Sequence, residues 1–481
     1  MKMTISIARL GCVCGLLVLS GCAMNPVTGR KQFVLISEAQ EIAMGKESDP
    51  QVLAYFGLYE NPALQKFITD KGLQMAAISH RPNLAYEFKI VDSPVINAFA
   101  VPGGYVYFTR GIMAQFNNEA EFAGVLGHEI GHITARHSVI QQRNAFLGQI
   151  GIIAGVILVP QLAQFVDPLS YGMQLAMMSF GRDAERQSDK LGVEYASKIG
   201  YDAAEMAGFF ETLERQQVAS GAENVPGFLS THPSPEERQT AVKELAVTWK
   251  DKLKLTNAKV NRNDYLKRID GMIIGEDPRN GFVENGVFFL PNLKVLFPIP
   301  TGWRLQNTPQ QVQMAPENGE ALLMLTLAAG TSLEDAANKI LTNYKLQMVE
   351  SKKESINGLP ALTMIADQKQ EQGTIRVISS LIQFDGNIYS MMGISEISQF
   401  AGYVPAFLST IHNFKELKEA EKLNRKPDLV HIKTVPGQMT LQTALQHFNM
   451  PADQFEKLAI LNQMALSDRL GSGTLIKVVG K

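Results

Sequence analysis

The stretch EFAGVLGHEIGHITARHS, residues 121–138, constrains this chain more than any other. On a helix, His132 falls about 40° from His128, so both imidazoles project from one face, one turn apart. Glu129 sits at the edge of that face, about 100° round, within reach of a water held by the two histidines without being a ligand itself. Gly124, Gly131 and Ala135 lie on the same side and invite close approach by another segment. Phe122, Leu126, Ile130 and Ile133 cluster on the opposite side. Such a helix, predicted over 118–140 with Asn117 or Asn118 as N-cap, is buried all round, and the fold must wrap a core about it. The plain alternative is a buried helix with two satisfied histidines.

A metal site needs a third ligand. Six residues after His132 stands Ser138, so a third histidine there is excluded, and on a continuous helix His137 points about 180° away from His128. The only cysteines are Cys12, Cys14 and Cys22, all close to the N-terminus, which leaves His, Asp and Glu as candidate ligands. Downstream, SFGRDAERQSDKLG offers Glu185 and Asp189 one turn apart on a second predicted helix, 182–198. Two histidines and one glutamate suit Zn²⁺ with an open fourth position. Asp189 is then placed to accept the other ring N–H of a ligating histidine, His128 being the best placed, and Arg182 is a weaker candidate beside it. Alternatively, Glu185 and Asp189 pair with Arg182 and Arg186 on a solvated face.

Lys2 and Arg9 precede an apolar run that starts at Leu10 and ends in Leu19-Ser20-Gly21-Cys22, as in a signal peptide and too short to span a bilayer comfortably. The small residues before Cys22 resemble a bacterial lipobox. That resemblance implies a signal peptide over 1–21, lipid on Cys22, a tether over 22–35 and, with Ala23 next, the periplasmic face of the outer membrane. A net charge of −2 gives no reason to expect nucleic acid.

At 481 residues the chain is too long for one core. Residues 36–80 read as helical, and 86–91, 95–101 and 105–109 as strands, with Pro102-Gly103-Gly104 turning between the last two. The apolar stretch 145–166 is interrupted by Gln149, Pro160 and Gln161, which favours a buried or membrane-facing hairpin over the site rather than a spanning helix. Further helices are expected at 203–218 and after Ser234-Pro235-Glu236-Glu237, which has the form of a capping box. Composition shifts near 280. The fold class expected is α+β: a mainly helical zincin domain with a small antiparallel sheet and a connector (36–282), a small α+β sandwich domain (283–415), a charged linker (416–428) and a βααβ tail (429–481).

NAFAVPGGYVYFTRGIMA, EAEFAGVLGHEIGHITARHS and GRDAERQSD together resemble the gluzincin metallopeptidases related to the CAAX prenyl proteases, in particular their periplasmic, BepA-like branch. The resemblance spans about residues 24–250, and YLKRIDGMIIGEDPRNGFV is similar to a connector found in that branch. It departs at Gly181 and Ser188, neither a ligand position, and it lacks the tetratricopeptide domain of that branch. It implies a zinc endopeptidase acting on unfolded or misassembled envelope proteins, in contact with outer-membrane assembly machinery. His128, His132 and Glu185 would hold one Zn²⁺, with Glu129 as general base. His232, in STHPSPEER, would either stabilise the oxyanion or close the site as a fourth ligand. The strand Asn97-Ala98-Phe99-Ala100 would bind an extended peptide along its edge. FPIPTGWRL resembles the start of a PsbP/Mog-type sandwich. In the tail, Gly437, Leu441, Phe448, Leu458, Asn462, Leu470, Gly473 and Leu475 stand where LysM modules carry similar residues, which implies peptidoglycan as a partner, although Gln438 and Met439 break the usual pattern. A non-proteolytic chaperone or assembly factor is the competing reading.

Overall fold

The computed structural model describes residues 22–33, 36–139, 152–153, 156–165, 178–220, 228–232, 235–371 and 373–481. The signal peptide expected over 1–21, residues 145–151, 154–155 and 166 of the apolar stretch 145–166, and Ser234 of the expected capping box lie outside the described residues.

Two helices, Glu38–Phe56 and Pro62–Ala76, lead into a three-stranded sheet. Its central strand, Tyr105–Thr109, runs parallel to Glu87–Val91 and antiparallel to Ala98–Val101. The sheet expected to be antiparallel is therefore mixed: the chain crosses to the far edge between 91 and 98 and returns to the centre through the turn at 102–104. Gly103 and Gly104 have φ of +86° and +107°, and a Cβ on Gly104 would stand 2.3 Å from the Ala85 carbonyl oxygen, so that turn takes no side chain.

The motif helix spans Glu119–Thr134 and every residue in it is buried. Asn118 caps it, its side chain accepting from the Glu121 N–H at 2.8 Å. The helix Arg182–Lys198 crosses it so closely that a Cβ on Gly127 would lie 2.9 Å from the Gly192 carbonyl oxygen, and one on Gly131 would lie 3.2 Å from the Ser188 Cα. Gly131, read as part of an approach surface, thus lies with Gly127 at the crossing that brings Glu185 to the histidines, whereas a Cβ on Gly124 would meet Met206 of another helix. Helices Glu205–Ser220 and Pro235–Leu253 pack behind this pair.

A seven-stranded antiparallel sheet follows, with helix Leu333–Asn343 on one face and Ile397–Ile411 on the other. Val156, Leu158, Leu162 and Phe165, from the stretch expected to lie over the site, are instead buried in the core of the first face, with Leu322, Met324 and Ile340. Val159 N–H donates to the Gly319 carbonyl at 3.0 Å, and Phe165 stacks on Tyr344. These side chains find more apolar area there than a site of charged ligands provides. Among the described residues no helix is long and apolar enough to cross a membrane.

The segment expected as a linker contributes the short strand Lys415–Glu416 and buries Leu417 against Phe289 and Leu296. The tail runs strand, helix, helix, strand, and its first strand, Asp428–Thr434, pairs with Ile273–Ile274 of the connector. Val430 and Leu475 join the core built around the motif helix.

Candidate metal centre

His128, His132, Glu185 and His232 each bring one possible ligand atom to within 4.8 Å of the others, and all four are buried. His128 Nε2 lies 2.9 Å from His132 Nε2 and 3.2 Å from His232 Nδ1. Glu185 oxygens stand 3.5 Å from both motif imidazoles and 3.0 Å from His232 Nδ1. A tetrahedron with Zn–N bonds of about 2.0–2.1 Å has edges of roughly 3.3 Å, which these separations bracket.

The outer ring nitrogens decide the tautomers. His128 Nδ1 donates to Asp189 Oδ1 at 2.9 Å, which leaves its Nε2 lone pair facing inward. Gln187 Oε1 accepts from His137 Nε2 at 3.0 Å, so His137 Nδ1 can accept from His132 Nδ1, also at 3.0 Å. His132 Nε2 then faces inward as a lone pair too. Inward lone pairs at 2.9 Å repel unless a cation stands between them, and this donor chemistry fits a divalent metal.

Burial, and after it the neighbouring imidazoles, drives the His132 pKa well below the ordinary histidine range. For Glu185, burial pushes upward, but His232, His128 and Arg238 outweigh it and hold the carboxylate ionised below its usual value. For His232, burial pushes downward, yet Glu185 and Glu129 raise it overall. Glu129 is fully buried with both carboxylate oxygens lacking a hydrogen-bond partner, and burial raises its pKa. Its Oε1 is 3.6 Å from His232 Nε2. An orphaned carboxylate beside a ligand cluster is what a proton acceptor for a reacting water requires.

Two corrections concern the surroundings. Arg182 is exposed at the first turn of its helix and takes no part in the site. The cation on Asp189 is Arg238, 4% exposed, which donates to Asp189 at 2.7 and 2.8 Å, approaches Glu185 at 3.2 Å and stacks over the Phe210 ring. Arg238 lies 49 residues beyond Asp189, and its signal in the sequence was only an arginine on a predicted helix. His137, placed on the far side by helical extrapolation, supports His132. The helix stops at Thr134, and Arg136 takes φ of 60°, which turns His137 back.

Phe180 stacks on His132 with ring centres 4.0 Å apart, and Phe228 on His232 at 4.3 Å, so apolar rings wall the cluster. The segment bearing His232 is pinned to the sheet: Phe228 N–H donates to the Ile96 carbonyl at 2.7 Å, and Thr231 Oγ1 to Asn97 Oδ1 at 3.3 Å. Ala98, Phe99 and Ala100 form the buried edge strand of the three-stranded sheet, against which the motif helix packs. Cys22 begins a short strand that pairs with Lys31–Phe33.

Residues 62–246 match peptidase family M48. The chain is 31% identical over 222 residues to the beta-barrel assembly-enhancing protease of Escherichia coli O157:H7, covering 44% of this chain and 45% of that protein. It is 31% identical over 259 residues to the protein of the same name from Yersinia pestis, covering 51% and 52%. It is 24% identical over 259 residues to human mitochondrial metalloendopeptidase OMA1, covering 49% and 48%. The chain spans about half the length of these curated relatives. A solved structure of cyanobacterial PsbP from Synechocystis sp. PCC 6803 aligns with a TM-score of 0.24 at 9% identity, over 28% of this chain and 91% of that one. The similarity to family M48 takes in all four candidate ligands, Glu129, Asp189 and Arg238.

Proposed function

We propose that this chain is a zinc-dependent endopeptidase that degrades misfolded or misassembled envelope proteins. One observation carries the reading: inward-facing histidine and glutamate donors at tetrahedral spacing, with the orphaned, fully buried Glu129 beside them. Zinc bound there would polarise a scissile carbonyl and acidify a water. Glu129 receives the proton and delivers it to the leaving amine. Asp189 and Arg238 hold His128, and His137 holds His132. Phe180 and Phe228 wall the His132 and His232 rings on their apolar sides. The edge strand 98–101 offers main-chain pairing to an extended peptide, a mode tolerant of sequence and suited to unfolded clients. The same reading takes Cys22 as a lipid anchor on the periplasmic face of the outer membrane and residues 429–481 as a LysM-like contact to peptidoglycan. Against a chaperone with a structural metal stands Glu129, because a structural site needs no proton acceptor.

The deciding experiment is zinc content and casein cleavage of the purified chain beside Glu185→Ala. We expect one zinc per chain and metal-dependent cleavage, with zinc weakened and cleavage lost in the variant. A wild-type chain that binds no zinc overturns the reading.

His232 fills the fourth position, which a peptidase must open. Removing a fourth ligand opens that position, so His232→Ala is expected to raise cleavage. A loss of activity in that variant would assign His232 to oxyanion stabilisation instead.

A further inference from the structure

The last strand of the chain, Leu475–Gly480, carries a lysine that no part of the proposed chemistry uses. Lys477 is 0% exposed. Its Nζ donates to the carbonyls of Ala114, Gln115 and Phe116 at 3.0, 3.0 and 3.1 Å. Those carbonyls end the short helix Arg110–Gln115, where helix carbonyls lack internal partners and carry partial negative charge. Three converging acceptors match the three donors of an ammonium and no other side chain. Two residues after Phe116 stands Asn118, the cap of the motif helix.

The contact is one of a set. Asn462 grips the Lys477 backbone from both sides, accepting from its N–H at 2.7 Å and donating to its carbonyl at 2.8 Å. Asn117 donates to the Leu461 carbonyl at 3.2 Å. Glu121, 0% exposed, accepts from Asn117 N–H at 2.8 Å and from Asn118 Nδ2 at 3.2 Å, closing the elbow onto the first turn of the helix. Burial drives the lysine downward and the glutamate upward in pKa, and each partly offsets the shift of the other. Burying an ammonium is a costly way to attach a module that apolar contacts already hold. Its directional bonds instead fix one geometry for residues 114–121.

We propose that Lys477 is a positioning residue for the metal centre: from the C-terminal module it sets the start, and hence the axial placement, of the helix bearing His128, Glu129 and His132. His128 is two turns, about 10 Å, along that helix from Glu121. Catalytic groups tolerate misplacement poorly, a shift of about 1 Å being able to lower a rate on the order of 100-fold. The C-terminal module is on this view part of the catalytic unit. The inference rests on the peptidase reading.

The test uses the full chain with Lys477→Met, which keeps length and volume and removes all three donors. Below its melting temperature this variant is expected to keep its circular dichroism spectrum, lose kcat by about 100-fold with KM little changed, and show an altered visible spectrum with Co²⁺ in the site. Adding Glu121→Gln, which replaces a carboxyl that burial already raises in pKa, should leave kcat at the level of Lys477→Met. A Lys477→Met protein with a lower melting temperature but wild-type kcat and cobalt spectrum overturns the proposal and leaves Lys477 purely structural. Should Lys477→Met fail to fold, Asn462→Ser is read instead, with the same directions expected and a wild-type spectrum and kcat again overturning it. Failure of the peptidase reading shows separately, in a wild-type chain that takes up neither zinc nor cobalt.

Discussion

Glutamine in place of Glu129 is expected to lower casein cleavage by about 10²–10⁴-fold while zinc content stays at the wild-type level. Gln has the shape of Glu and fills the same buried site, yet it cannot take a proton from water. Glu129 stands outside the group of four potential ligands, so metal binding has no reason to change. Both its oxygens lack hydrogen-bond partners and its pKa is raised by burial; the exchange gives up only the 3.6 Å approach to His232, which keeps Glu185 as its carboxylate partner, so stability should change little. The check is a pair of measurements on one preparation, metal stoichiometry and initial cleavage rate. Activity within tenfold of wild type would place the proton acceptor elsewhere.

The second large effect is on stability. Arg238→Ala removes the cation on Asp189, which is 3% exposed. Burial pushes the Asp189 carboxyl upward, but Arg238 and His128 more than offset that and hold it well below the usual carboxylate range. Stranding that charge is expected to cost about 3–5 kcal/mol. Zinc affinity should fall by about 10–100-fold, because Asp189 orients His128. Arg238→Lys should recover little, since the two bonds to Asp189 come from the fork of the guanidinium. Urea unfolding of metal-free protein measures the first effect and chelator competition the second. The sign with pH follows from the depressed carboxyl: its stabilisation is present above the unfolded value of about 3.9 and is lost as pH falls below it. A cost under about 1 kcal/mol for Arg238→Ala would mean that Asp189 simply takes up a proton.

What the sequence disclosed about the site was set by local geometry. His128 and His132 stand one helical turn apart with Glu129 at the edge of their face, and Glu185 and Asp189 stand one turn apart on a second helix, so helical periodicity singled out these five as candidates. Gly131 forecast a close neighbour, and that neighbour is the helix carrying Glu185, while Gly124 makes room for Met206. Periodicity failed where the helix stopped: His137 was projected along a helix that ends at Thr134. Arg238 was hidden because only three-dimensional packing relates position 238 to position 189. The parallel pairing of Glu87–Val91 was hidden because an alternating strand pattern says nothing of direction. Apolarity alone could not choose a destination for 156–165, which lies in the core of the seven-stranded sheet.

The bond between Lys477 and Ala114 joins residues 363 positions apart. A chain made from its N-terminus has its metal ligands in hand long before its last strand exists. Until that strand arrives, three carbonyls at the foot of the motif helix lack their ammonium partner. Contacts of such long range close slowly, because loop entropy must be overcome before they form. Order of synthesis thus becomes a timer: a molecule made only as far as residue 474 has the residues of the candidate site without the ammonium that fixes the foot of their helix.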